Sequence, residues 1–411
     1  MDKKIAITGI GVLSPIGIGR EEFWLGLREG RMGFREITLF DTSPYAVKIA
    51  GEISDFNPEV FLGKKGLREL DRSTKLLCSA AKLALDDAHL SITDDNSDRV
   101  GVSIGATFGS LHSISQFDRV GLTEGPRYVN PSHFPNTVIN GPASRVSIRF
   151  GIKGFNTTIS TGCCSALDAV MYACDFIELQ KANTVLAGGV EELCEETFLS
   201  FHDLLHLSGT NGSSPICCPY DARRNGLILA EGSAVLVLED SAYASLRGST
   251  ILAMVKGIGN AFDASVKPGF VNGGAGLRNA ILHALRDAGL TPGDIDYISS
   301  FANSSKGLDR METFVIKEVF GKYAYEIPVS SVKSMVGECL SASGCLSMAS
   351  AVGVLNNGII PPTANYQERD PACDLDYVSG AARHKNVRNA LVISSDPLGN
   401  NSAVVIEKYE N

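Results

Sequence analysis

Residues Thr157 to Asp168, Thr-Thr-Ile-Ser-Thr-Gly-Cys-Cys-Ser-Ala-Leu-Asp, are the stretch from which covalent chemistry can be read. The β-branched run that opens it, Thr157 to Ser160, has the character of a short buried strand. Gly162 then permits a sharp turn of the backbone. Beyond it Ala166, Leu167, Val170, Met171, Ala173 and Cys174 share one helical face, with no Gly or Pro before Lys181. Cys163 is therefore expected where a strand hands over to a helix, near unpaired N–H groups and the positive end of the helix dipole. That setting favours the thiolate, the nucleophilic form of cysteine. The bland alternative is that Cys163 and Cys164 are small core residues.

Other chemistries are poorly served. His202 and His206 stand at i, i+4, a metal-binding spacing, but no H-E-x-x-H glutamate lies between them and no third ligand is near. No metal site is expected. The ten cysteines contain no C-x-x-C pair, and the doublets at 163/164 and 217/218 suit neither a disulfide nor zinc. Gly9, Gly11 and Gly17 have the wrong spacing for a dinucleotide fingerprint. A net charge of −9 argues against nucleic acid, although an acidic carrier protein could still dock on a local basic patch. No apolar run approaches a membrane span. Met1 to Lys4 runs into a strand without a charged-then-apolar leader, so a reducing, cytoplasmic setting is the expectation.

The elements that must position Cys163 alternate along the chain. Strands are expected at 4–11, 99–104, 157–160, 184–191 and 233–239, with a core-facing helix over 70–88. A second series follows: strand 251–258, helix 276–288, strand 296–300, helix 309–319, strand 328–331, helix 340–355, and strands 389–394 and 403–407. Residues 105–140, rich in Gly, Ser, Pro and Phe, show little periodicity and read as an irregular functional or interface segment. The strand at 184–188 is apolar enough to need a partner, which predicts pairing across a dimer axis. With 411 residues and 42 glycines, the chain fits an α/β protein of two similar halves, 1–250 and 251–411.

Six motifs in order resemble the β-ketoacyl synthases of the thiolase superfamily over essentially the whole chain. They are Ile7 to Gly11, Ser160-Thr161-Gly162-Cys163, Pro219 to Gly226 with Ala230-Glu231-Gly232, Ser330 to Gly337, and Ile360 to Asn365. Leu167-Asp168 and Asp370 to Tyr377 are similar to the type II polyketide synthase branch. The resemblance implies a five-layered α-β-α-β-α fold and substrates carried on the phosphopantetheine of an acyl carrier protein, with no other cofactor. It also implies a dimer, either with a homologous condensing subunit or with itself.

Family chemistry uses a Cys to hold the acyl chain and two His to promote decarboxylation of a malonyl thioester. Here the match places Phe301 at the His of "H-G-T" and Glu338 at the His of "K-S-x-x-G-H", with Lys333 beginning that second motif. Cys163, Phe301, Lys333 and Glu338 are thus the expected site. Ser347 stands for the glutamate of the following helix. Asp396-Pro397-Leu398-Gly399 stands for the Gly-Phe-Gly-Gly loop that gates the acyl site and helps form its oxyanion hole.

Three functions follow from the resemblance. The leading one is a chain-length-factor-like (KSβ) partner of a condensing subunit (KSα), since both His are replaced. The second is an acyltransferase acting through Cys163 without decarboxylation, with Glu338 as a possible general base. The third is an atypical condensing enzyme, against which the physics weighs most. Phe301 cannot donate a hydrogen bond, an ionised Glu338 cannot either, and each lost donor costs roughly 10²–10³ in rate.

Overall fold

The computed structural model describes residues 5–265 and 273–410; Lys4 of the expected first strand lies outside them. The first half supplies β1 (Ile5–Ser14), β2 (Val100–Gly105), β3 (Asn156–Ile159), β4 (Thr184–Glu191) and β5 (Gly232–Asp240). The second supplies β6 (Ala253–Phe262), β7 (Tyr297–Ser299), β8 (Val329–Ser330), β9 (Asn389–Ser395) and β10 (Asn400–Glu407). Their order is β3-β2-β4-β5-β1 in one half and β8-β7-β9-β10-β6 in the other, the same path twice. The directions repeat as well: two parallel pairings at the far edge, then two antiparallel ones. Ile5 to Ile7 of β1 pair with Ala253 to Val255 of β6, which joins the expected two sheets into one continuous path.

Helices cover these sheets in layers. Helices α1 (Arg72–Asp87) and α2 (Gly141–Phe150) bury Leu76, Leu77, Ala80 and Val146 against Val102, Leu186 and Val235 of the first-half sheet. Helices α3 (Ser165–Glu178) and α6 (Ser343–Asn357) fill the middle, with Leu167, Val170, Leu346 and Val352 packed among residues of both halves. Helices α4 (Ala275–Ala288) and α5 (Lys306–Phe320) close the outer face of the second half through Ile281, Leu285, Val315 and Ile316. The result is the five-layered α-β-α-β-α order. The all-round burial of α6 reflects its central place, with apolar sheet on both sides.

The opening Gly-Ile-Gly serves packing. A Cβ on Gly11 would lie 1.9 Å from Ala80 O, so glycine lets β1 approach α1 closely. In the second half Gly259 stands against Ala280 O in the same way, at 2.3 Å. Ile10 N–H donates to Asp87 Oδ2 at 2.9 Å, and Ile258 N–H donates to Asp287 Oδ2 at 2.8 Å. One device is built twice.

Two expectations are corrected. Residues 105–140 hold a helix, Leu111–Thr123, and a 3₁₀ segment, Pro131–Thr137. That helix has no fully buried residue; its apolar residues Leu111, Ile114 and Phe117 stand at helical spacing but are only half-buried, a weaker stripe than that of a core-facing helix. Second, β4 is no edge, because β2 and β5 flank it on either side. Its apolar character comes from burial within the sheet. Among the described residues the first-half edge is β3, which pairs with β2 on one side only.

Candidate functional site

Strand β3 leads through Ser160 and Thr161 into a single 3₁₀ turn, Gly162–Cys164, before α3 begins. Gly162 takes the left-handed conformation, with φ of 63°. The turn is fastened locally: Thr161 N–H donates to Ser165 Oγ at 2.9 Å, and Thr161 Oγ1 donates to Asp168 Oδ2 at 2.6 Å. It is fastened from the far end of the chain as well. Ser394 Oγ donates to Cys163 O at 2.8 Å, and Cys163 N–H donates to Asp396 Oδ2 at 3.0 Å.

The second half repeats this turn. Leu340 takes the left-handed place of Gly162, with φ of 44°, and Cys339 N–H donates to Ser343 Oγ at 3.1 Å. Ser341 stands in the place of Cys163 and donates to Glu191 Oε2 at 2.6 Å.

Cys163 borders a cavity of about 790 Å³ whose apolar wall includes Phe201, Leu204, Leu308, Met311 and Leu340. Glu338, Asn303 and Asp396 border the same space. Lys333 stands behind Glu338, its Nζ donating to Glu338 Oε2 at 2.7 Å. Asn303 Nδ2 donates to the same oxygen at 2.8 Å. Leu340 N–H and Ser343 Oγ donate to Oε1 at 3.1 and 2.9 Å. Four donors thus hold Glu338, about as many as a carboxylate can accept. A general base must be free to take a proton, so this arrangement contradicts the reading of Glu338 as one.

Phe301 follows the end of β7, but its ring packs in the second-half core and does not line the cavity. Its N–H donates to the buried Glu312 Oε1 at 3.1 Å. The residue that reaches the site from this segment is Asn303, at the Thr of the "H-G-T" match. Ser347, on α6, is buried. His202 stacks on Phe198 and meets Tyr45 at a tilt, while His206 lines the cavity; no metal-holding cluster of three or more ligands occurs among the described residues.

The electrostatics reverse the expectation of a thiolate. Burial, then the charge on Glu338, push the Cys163 thiol well above its ordinary value; Lys333 opposes this and Asp396 adds to it. Burial disfavours the Lys333 ammonium most, but the Glu338 carboxylate and the neighbouring thiols together raise the Lys333 pKa. The carboxylate that takes the Cys163 N–H also sets a negative charge at the start of the turn, against the helix dipole that would favour a thiolate.

The donors facing Cys163 across the cavity are engaged too. Asp396 N–H bonds Asn400 O at 2.8 Å, Leu398 N–H bonds Asp396 Oδ1 at 2.8 Å, and Gly399 N–H bonds Asp396 O at 3.0 Å. Pro397 has no N–H. Sequence reasoning singled out this segment as an altered gate but gave Asp396 no role, because the partner of its carboxylate lies 233 residues away.

Comparison with known proteins places this geometry. The family descriptions "Beta-ketoacyl synthase, N-terminal domain" and "Beta-ketoacyl synthase, C-terminal domain" match residues 2–244 and 252–367. The chain is 33% identical to a 3-oxoacyl-[acyl-carrier-protein] synthase 2 of Coxiella burnetii over 408 residues, 99% of both chains. It is 36% identical to the tetracenomycin polyketide synthase ketoacyl synthase alpha subunit of Streptomyces glaucescens, covering 99% of this chain and 97% of that one. Among solved structures, the ishigamide ketosynthase/chain length factor superposes with a TM-score of 0.93 at 31% identity, covering all of both chains. A type II polyketide synthase acyl-carrier protein in complex with its ketosynthase gives 0.91 at 28% identity. The five-layered arrangement is the thiolase-like fold of these proteins, and the chain belongs to the β-ketoacyl synthase family.

Proposed function

We propose that this chain is the non-condensing, chain-length-factor-like subunit of a type II polyketide or fatty-acid-like synthase. It pairs with a condensing ketosynthase and shapes the tunnel for chains held on the phosphopantetheine of an acyl carrier protein, in a cytoplasmic setting. Halves 1–250 and 251–411 act as one scaffold, with Cys163 and Glu338 at its cavity, Lys333 behind Glu338 and Phe301 in the second-half core.

The observation that carries this reading is the state of the donors around Cys163. Decarboxylative condensation needs hydrogen bonds aimed at an enolate and at a thioester oxygen. Here Asn303, Lys333 and the N–H of Cys163 already donate to Glu338 and Asp396. The retained Cys163 at the cavity wall favours the acyltransferase as the second reading, but the fully bonded Glu338 removes its base.

Co-expression with a condensing subunit that keeps its Cys-His-His set tests the proposal. The expected result is a stable 1:1 complex in which Cys163→Ala changes product formation by no more than about a factor of two. Abolished turnover in that complex would favour acyl transfer through Cys163. Malonyl-carrier decarboxylation by the isolated chain, lost in Cys163→Ala, would establish a condensing enzyme.

A further inference from the structure

The carboxylate of Asp396 is buried against the nucleophile turn and accepts two backbone N–H groups, Cys163 at Oδ2 and Leu398 at Oδ1, at 3.0 and 2.8 Å. Gly162 makes the approach possible, since a Cβ there would lie 1.9 Å from Asp396 Oδ2. When a cysteine attacks a thioester, negative charge develops on the carbonyl oxygen, and the N–H of the nucleophile itself is a donor well placed to receive it. In this chain a carboxylate oxygen already stands at that place. The rest of the site is equipped for an acyl chain: the cavity at Cys163 is walled by Phe201, Leu204, Leu308 and Leu340.

We propose that Asp396 is an internal occupant of the acyl-carbonyl position, closing to neutral acyl thioesters a site that is otherwise built to receive them. The inference rests on the reading that Cys163 does not turn over in the unaltered chain. Asp396 is a positioning residue, acting through the N–H of Cys163 and, by its charge, against the thiolate. With the carboxylate removed, the reaction balances without any further reagent. Cys163 Sγ adds to the thioester carbonyl, the bond from that carbon to the original sulfur breaks, and the departing thiolate takes up the proton that Cys163 released. An S-acyl cysteine remains.

The test uses the full-length chain with the octanoyl thioester of N-acetylcysteamine as probe, read by intact mass and peptide mapping. The unaltered chain is expected to form no adduct, and Asp396→Ala to acylate Cys163 at least about tenfold faster. A parallel iodoacetamide profile should show the midpoint for Cys163 moving to lower pH in Asp396→Ala. Asp396→Asn should move it the same way, since the amide has lost the charge and has one oxygen for two donors. A merely structural aspartate would leave that midpoint in place. Unchanged acylation and midpoint in the folded variants would overturn the inference while leaving the non-condensing reading intact. Loss of folding in both variants would overturn it by making Asp396 a folding residue. A ready adduct on the unaltered chain would overturn both the inference and the reading beneath it.

Discussion

Lys333 Nζ lies 2.7 Å from Glu338 Oε2, and both side chains are 2% exposed. The pair stands at the edge of the thiol's environment and sets its charge from within. Two opposite charges so placed are stable only together, because either one alone is an uncompensated buried ion.

Glu338→Ala is therefore expected to lower stability by about 3–5 kcal/mol in urea unfolding, since it leaves the Lys333 ammonium without its partner. Glu338→Gln keeps the shape and loses the charge, so its loss should be smaller. In that variant Cys163 should alkylate faster with iodoacetamide near neutral pH, about tenfold for each unit by which the thiol pKa falls. An unchanged rate would remove Glu338 as a cause of the raised thiol.

The pH dependence of stability should run against the usual direction for carboxylates. Burial raises Glu191 to about 7, Glu192 to about 8, Glu312 to about 7 and Asp309 to about 6. Raised folded-state values mean the native chain binds more protons than the unfolded one between about pH 4.5 and about 8, so stability falls as pH rises through that window. Asp221, lowered to about 2, acts the other way, and its contribution is lost only as pH falls below the ordinary carboxylate range. Urea midpoints taken from pH ~5 to pH ~9 should decline, and Glu192→Gln should flatten the upper part of the curve. A rising curve would contradict the burial argument.

The free edge of β3 is the place for a partner strand. The backbone of Phe155 and Ile159 faces β2, accepting the N–H groups of Val102 and Ala106 at 2.8 and 3.0 Å. By the alternation of a strand, Thr158 N–H faces outward. Thr158→Pro should then leave a folded chain that fails to hold its partner in size-exclusion chromatography. A complex that survives the substitution would place the interface elsewhere.

Gly11→Ala and Gly259→Ala should behave alike. Each new Cβ meets a helix carbonyl, at 1.9 Å from Ala80 O and at 2.3 Å from Ala280 O. Overpacking of this kind costs about 1–3 kcal/mol. Thermal unfolding of the two variants tests the equivalence, and a large loss in one with none in the other would deny it.

Much of the fold was legible because the strands are short apolar runs closed by glycine and the helices carry a stripe facing the core. The nucleophile turn was legible for the same reason, since Thr157 to Asp168 declares its strand, turn and helix locally. Two kinds of feature were not. The Leu111–Thr123 helix sets Leu111, Ile114 and Phe117 at helical spacing, but that face is only half-buried in this chain, and the Gly, Ser and Pro around it obscure the period. Asp396 and Asn303 act on Cys163 and Glu338 by contacts across 233 and 35 residues, and no local pattern encodes such a meeting. The thiolate expectation failed there: the turn was foreseen, and the carboxylate that closes it was not.

The doubled strand path carries a consequence of descent. A chain that builds one strand order, one Gly-Ile-Gly contact and one helix-borne aspartate twice has the form of a duplicated and fused unit. Such a molecule holds two copies of its nucleophile turn and needs chemistry from only one. In the second copy Ser341 is fully buried and bonded to a carboxylate supplied by the strand beyond. Asp396 accepts the backbone N–H of Cys163, whereas Glu191 accepts the side-chain hydroxyl of Ser341, so each copy of the turn carries a carboxylate but holds it by a different group. The two halves thus share a carboxylate at the turn and differ in the group that meets it, with the cysteine kept in the first copy alone.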